Sequence, residues 1–152
     1  MSGSIVCGVD PSQPSRETLG VAERLARRLD ARLILLTVAR PFLPPPPGRL
    51  PSGGTDDARD RQDSRERRAR RRLAAAARAA GMCECADLRV ATGDPARCLI
   101  ETARREDASF LVVGSSGRGP IRSALLGSVS ARLVRAAPCP VLVLPPPAED
   151  GA

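Results

Sequence analysis

The sequence predicts a doubly wound α/β domain, Rossmann-like in outline, with a five-stranded parallel sheet and helices on both faces. Three observations carry that expectation. Five short apolar runs alternate strictly with four stretches whose apolar residues recur at helical spacing. Crossovers of this kind are right-handed and produce a parallel sheet covered on both sides. The run Phe110 to Val113 is apolar at every position, as a strand buried on both faces must be. A chain of 152 residues also has enough length to bury about 68–70% of its unfolded surface in one core, without a disulfide or metal to staple it.

Ile5 to Val9 is the first strand, and Ser12 to Ser15 offer capping hydroxyls for a helix carrying Leu19, Ala22, Ala26 and Leu29 on one stripe. Leu33 to Val38 is the second strand. The second helix has the stripe Ala69, Leu73, Ala76 and Ala80, stops at Gly81, and is almost wholly polar in its first half. Ala86 to Ala91 alternates as the third strand. Ala96, Leu99, Ile100 and Ala103 mark the third helix, and Phe110 to Val113 the fourth strand. The helix after Ser128 is closed by Pro138, and the fifth strand, Val141 to Leu144, lies between prolines. Residues 1–145 form the expected domain, with a Pro/Gly-rich loop at 40–55 and a disordered tail at 146–152. The loop holds Pro41, the run Pro44 to Pro47, Pro51 and three glycines, and reads as a tolerated surface insertion or a lid.

The segment from Gly114 to Ser128 is the richest in chemical meaning. A strand, a glycine-rich loop and a helix follow one another, and the first N–H groups of a helix have no partner within it. Glycine lets the backbone approach a ligand closely, so an anion fits there. In doubly wound sheets ligands bind at the carboxyl ends of the strands, where strand order reverses. The loop after the first strand, Asp10-Pro11-Ser12, opens into the same crevice if strands one and four are neighbours.

Composition narrows the classes. The net charge of +7 comes from 24 arginines and no lysine, a one-sided usage that points to genomic composition bias more than to selection for a lysine-free surface. Eight arginines between Arg59 and Arg72 are interleaved with Asp56, Asp57, Asp60, Asp63 and Glu66, the pattern of a solvated helix face. Phe42 and Phe110 are the only aromatic residues, so the stacking platforms of single-strand binders are missing and nucleic acid is not the expected partner. No apolar run approaches the roughly 20 residues that span a bilayer, and the N-terminus lacks a signal pattern, so a cytoplasmic location and no membrane contact are expected. Five cysteines, an odd number, suit reduced thiols. Cys7, Cys98 and Cys139 read as small buried hydrophobes, and Cys83 with Cys85 are too few for zinc in a chain without histidine.

With those motifs in view, the chain resembles the ATP-binding branch of the universal stress proteins. That branch has G-x-x-G, nine residues, then G-[S/T], matched here by Gly114, Gly117, Gly127 and Ser128. Val9-Asp10-Pro11-Ser12, Leu35-Leu36-Thr37-Val38, Gly93-Asp94-Pro95 and Ala137 to Val143 extend the likeness over nearly the whole chain. The resemblance implies strand order 3-2-1-4-5 and an ATP site, with magnesium arriving on the nucleotide. By the same resemblance Asp10 contacts the ribose, the backbone of Val38 meets the adenine edge, and Gly114 lines the ribose and first phosphate. Gly117, Gly127, Ser128 and Val129 would donate to the phosphates, with Pro11 and Ser12 beside them. It implies a homodimer through Val141 to Leu144 as well.

The residues permit such a site without a lysine. A P-loop is excluded, because its last glycine must be followed by lysine. Hydrogen bonds to a charged group contribute about 1.5–3 kcal/mol each and micromolar affinity needs about 8 kcal/mol, so four donors plus adenine burial suffice. Arg118 and Arg122 either add bidentate phosphate contacts or stay solvated. Each residue has a plainer use: Gly114 ends a strand, Ser128 caps a helix, and Asp10 either caps a helix or serves a ribose hydroxyl or a magnesium ion. Their joint spacing favours the site. No nucleophile is paired with a base, so no catalytic residue is assigned and hydrolysis is at most slow. The expectation is an ATP-binding, nucleotide-dependent stress-response module. The alternatives are an ATP-using α/β enzyme, or a basic protein that docks its arginine-rich helix on nucleic acid or an acidic partner.

Overall fold

The computed structural model describes residues 3–10, 16–41, 47–48, 55–82, 84–115 and 126–146. Nine elements alternate along the chain: β1 (Ser4–Gly8), α1 (Arg16–Arg28), β2 (Arg32–Ala39), α2 (Thr55–Ala79), β3 (Asp87–Thr92), α3 (Pro95–Arg105), β4 (Ala108–Gly114), α4 (Ser128–Ala136) and β5 (Val141–Leu144). The five strands are parallel in the order β3-β2-β1-β4-β5. Each expected strand and helix is present, and β5 has the expected bounds.

Strand periodicity sorts the core into two layers. Successive side chains of a strand point to opposite faces. Ile5 and Cys7 of β1 and Leu33 and Leu35 of β2 therefore pack with Leu19, Ala22 and Ala26 of α1 and with Leu73, Ala76 and Ala77 of α2. Val6, Ile34 and Leu36 go the other way, to Ala96, Leu99 and Ala103 of α3 and Leu133 of α4. Right-handed crossovers explain the division: the chain winds outward from β1 to β3 under one face, then returns through β4 to β5 over the other. Each fully buried Leu or Ile contributes about 1.5–3 kcal/mol.

Helix ends account for the differences in detail. Leu29, expected on the stripe of the first helix, is 45% exposed, and buried Thr18 lies inward instead. The helix stops at Arg28 because Asp30 takes a left-handed φ of 49°, and Ala31 N–H reaches back to the Ala26 carbonyl at 2.9 Å. That bond turns the chain into β2 and leaves Leu29 outside. Gly81, at φ 69°, ends α2 in the same way, with Met82 N–H on the Ala77 carbonyl at 3.0 Å. The polar first half of α2 is continuous with its apolar half, and Arg61 pairs with Asp57 at 2.7 Å across one turn. α4 closes at Ala137, whose ψ of 144° is the extended conformation that a following proline imposes.

The calls on Pro11, Ser12, Cys83, Gly117, Arg118 and Arg122, on the capping residues 12–15, on most of the loop at 40–55 and on the tail beyond 146 lie outside the described residues. Among the described residues, no helix is long and apolar enough to cross a membrane.

Candidate functional site

β1 lies between β2 and β4 and is outrun by both at its carboxyl end. Its register with β2 ends at Gly8↔Leu36, whereas β2 continues to Ala39. Its register with β4 ends at Cys7↔Val112, whereas β4 continues to Gly114. The two outer strands therefore flank a gap two strand spacings wide, roughly 10 Å.

The peptides that face this gap follow from strand geometry. In a parallel ladder the N–H and C=O of one residue point to the same neighbour, and the next residue points to the other. The Leu36 carbonyl accepts Val9 N–H at 2.9 Å, so Leu36 and Val38 face β1's side, while the Ala39 carbonyl faces β3 and accepts Gly93 N–H at 3.1 Å. On β4, Leu111 N–H goes to the Pro140 carbonyl at 3.0 Å and Ser115 N–H to the Leu144 carbonyl at 2.7 Å, both on the β5 side. Gly114 must then face the gap. Val38 and Gly114, two of the expected contacts, thus present their peptides toward each other past the end of β1. Gly114 is exposed, and a Cβ built on it would meet nothing nearer than Thr18 Oγ1 at 3.8 Å. Its missing side chain leaves space in the crevice and is not required by the packing of the protein.

Asp10 follows Val9 at the mouth of the gap and is half-buried. Val9 is held to β2 through both of its backbone groups: its N–H donates to the Leu36 carbonyl at 2.9 Å, and its carbonyl accepts the Thr37 hydroxyl at 2.9 Å. Thr37 is fully buried.

α4 forms the far wall. Gly127 is its N-cap, with φ −59° and ψ 161°, and supplies no side-chain cap. Its N–H donates to the Ser115 carbonyl at 2.9 Å, and its carbonyl accepts Ala131 N–H at 2.9 Å. The amides of Ser128, Val129 and Ser130 precede the first intrahelical bond, so no carbonyl of the helix serves them. α3 is finished differently: the Asp94 carboxylate accepts Arg97 N–H at 3.0 Å and Pro95 fills the first helical position. Asp94 also receives Arg132 of α4 at 2.8 Å, and that guanidinium, then the Arg97 amide, holds its carboxyl below the usual range. The pair ties the two helices together beside the site. Buried Ser130 closes the base of the glycine loop, donating to the Gly127 carbonyl at 3.0 Å and lying 3.4 Å from the Ser115 carbonyl.

Of the expected site residues, Asp10, Val38, Gly114, Gly127, Ser128 and Val129 are thus gathered at one end of the sheet. Thr37 and Ser130 are the braces that motif reading passed over. Their signal was slight: a lone hydroxyl inside an apolar strand, and a serine two residues into a helix whose cap is glycine. A shallow cavity of about 420 Å³ lies outside the crevice, between the outer side of α1 and the end of β5, lined by Arg16, Gly20, Val21, Arg24 and Leu144 among others. Among the described residues, no group of three or more His, Cys, Asp or Glu side chains could hold a metal.

A parallel sheet whose strand order reverses at β1/β4, with a helix that starts at a glycine cap beside that reversal, defines a doubly wound α/β protein, a class whose ligands bind at such a switch point. The model of the universal stress protein family matches residues 1–145, and the chain belongs to that family. The universal stress protein MJ0531 of Methanocaldococcus jannaschii is 38% identical over 58 residues, a stretch covering 38% of this chain and 34% of that protein's length. Among solved structures, the universal stress protein UspA of Lactobacillus plantarum shares the fold at a TM-score of 0.73 and 18% identity, with 95% of this chain and 99% of that one covered. A universal stress protein in complex with cAMP matches at a TM-score of 0.63 and 27% identity, covering 94% and 96%.

Proposed function

We propose that this universal stress protein binds ATP, with its magnesium, in the crevice between β2 and β4, and acts as a cytoplasmic, nucleotide-dependent regulatory module. The observation that carries the reading is the pairing of the Val38 and Gly114 peptides across the gap with the uncapped start of α4 beyond them. A base set against Val38 and a ribose near Asp10 and Gly114 put the phosphates at the loop and at the amides of Ser128 and Val129, with Gly127, whose own N–H is taken by the Ser115 carbonyl, allowing close approach at the helix start. Pro11, Ser12, Gly117 and Arg118 complete the site in this reading. The helix dipole favours the negative charge there. The cAMP complex of a relative that is 27% identical supports an adenine nucleotide as the ligand.

The chain has no histidine, lysine or tyrosine to pair with a nucleophile, which favours a binding role with at most slow hydrolysis. Occupancy would be read out through a homodimer joined by β5, whose outer edge carries no strand among the described residues and whose Leu142 is 36% exposed.

Calorimetry with ATP and magnesium tests the proposal, together with mass spectrometry of small molecules released from freshly purified protein. Micromolar binding that weakens at least tenfold in Asp10→Ala is the expected result. Absence of heat at millimolar ATP overturns it.

A further inference from the structure

The Thr37 hydroxyl stands where a longer β1 would have found a backbone donor. If the β1–β2 ladder ran one step further, Val38 N–H would donate to the Val9 carbonyl, as the register Gly8↔Leu36 and the bond Val9 N–H to Leu36 O require for the next rung. The ladder stops short of that rung. The Val9 carbonyl is taken instead by Thr37 Oγ1 at 2.9 Å, from a side chain with no solvent exposure. A buried carbonyl needs a donor, and here the hydroxyl is that donor.

We infer that Thr37 is a positioning residue for the base: by satisfying the Val9 carbonyl it withholds the Val38 peptide from the sheet and leaves it facing the crevice for an adenine edge. The inference rests on the nucleotide reading above. Adenine offers an acceptor nitrogen beside an exocyclic amino donor, and the N–H and C=O of one residue on one side of a strand match that pair. Were Val38 N–H drawn into the ladder, the donor half of the match would be lost and the mouth of the gap would narrow.

The test compares the full chain with Thr37→Val and Thr37→Ser. Threonine to valine conserves shape and removes only the hydroxyl, so the orphaned Val9 carbonyl recruits Val38 N–H. Amide exchange followed by NMR on ligand-free protein is expected to slow at Val38 by roughly tenfold or more in Thr37→Val and to stay unchanged in Thr37→Ser. Adenosine affinity is expected to fall about tenfold in Thr37→Val, while inorganic tripolyphosphate binds both variants as it binds the parent. A hydroxyl that served stability alone would leave Val38 exchange unchanged or faster on removal. Either that result, or unaltered adenosine affinity in Thr37→Val, overturns the inference while the nucleotide site stands. A parent protein that binds neither adenosine nor ATP defeats the nucleotide reading itself, and with it the role assigned to Thr37.

Discussion

Ser130 donates its hydroxyl to the Gly127 carbonyl at 3.0 Å and lies 3.4 Å from the Ser115 carbonyl, so one buried side chain spans both ends of the glycine loop. The Gly127 N–H to Ser115 O bond runs beside it at 2.9 Å. A loop whose base is already closed loses less freedom when a phosphate enters it. In Ser130→Ala, ATP affinity is expected to fall roughly tenfold while adenosine affinity stays within about twofold. Calorimetry with both ligands checks this, and an equal loss for both would show that Ser130 supports the fold alone.

Two glycines of the strand ends separate packing from binding. At Gly8 a Cβ would stand 3.0 Å from Val113 Cγ1 and 3.1 Å from both terminal methyls of Leu99, so Gly8→Ala is expected to cost about 1–3 kcal/mol. At Gly114 the nearest atom is 3.8 Å away, so Gly114→Ala should change stability by no more than about 0.5 kcal/mol. Gly114→Val is expected to abolish nucleotide binding in a folded protein. Urea unfolding and calorimetry on the three variants decide the matter, and nucleotide binding by Gly114→Val would remove Gly114 from the site.

Acid sensitivity should come from carboxylates far from the site as well as near it. Glu106, 16% exposed, accepts Arg89 at 2.6 Å and pairs with Arg32, and the Arg89 hydrogen bond holds its carboxyl below the usual range. Asp94 is held low by Arg132. Both groups are more acidic folded than unfolded, so protonation favours the unfolded chain. Their stabilisation is complete above the unfolded range, about pH 4–4.5, and is lost as pH falls through the folded values. Thermal melts between pH 7 and 3 should therefore fall less steeply at the acid end for Glu106→Gln than for the parent, and parallel curves would refute the assignment.

Thiol chemistry should follow burial. Cys7 is fully buried in β1, and desolvation pushes its thiol up to about 12, whereas Cys85 is exposed. Mass spectrometry after brief iodoacetamide treatment at pH 8 is expected to find Cys85 modified and Cys7 untouched until urea unfolds the chain. Modification of Cys7 in the native protein would contradict the core packing of β1.

The edge of β5 offers the test of assembly. Leu142→Asp places a charge on the half-open strand without entering either core cluster. Light scattering is expected to find a dimer for the parent and a monomer for the variant. Matching masses for the two would reject pairing through β5.

Much of this molecule was legible in one dimension because its signals are local. Periodicity of two or 3.6 named the strands and helices, and alternation named the parallel sheet. The spacing from Gly114 to Ser128 marked the loop, since strand, loop and helix are covalent neighbours. Leu29 was misread because a left-handed Asp30 ended α1 one residue before it, a termination that no glycine announced. The tertiary structure alone decided that β1 ends short of both neighbours, that Thr37 reaches back 28 residues to Val9, and that Ser130 reaches back 15 to Ser115. Such pairings join positions distant along the chain, and a hydroxyl in an apolar run acquires its partner only when packing has excluded water and left one carbonyl to satisfy.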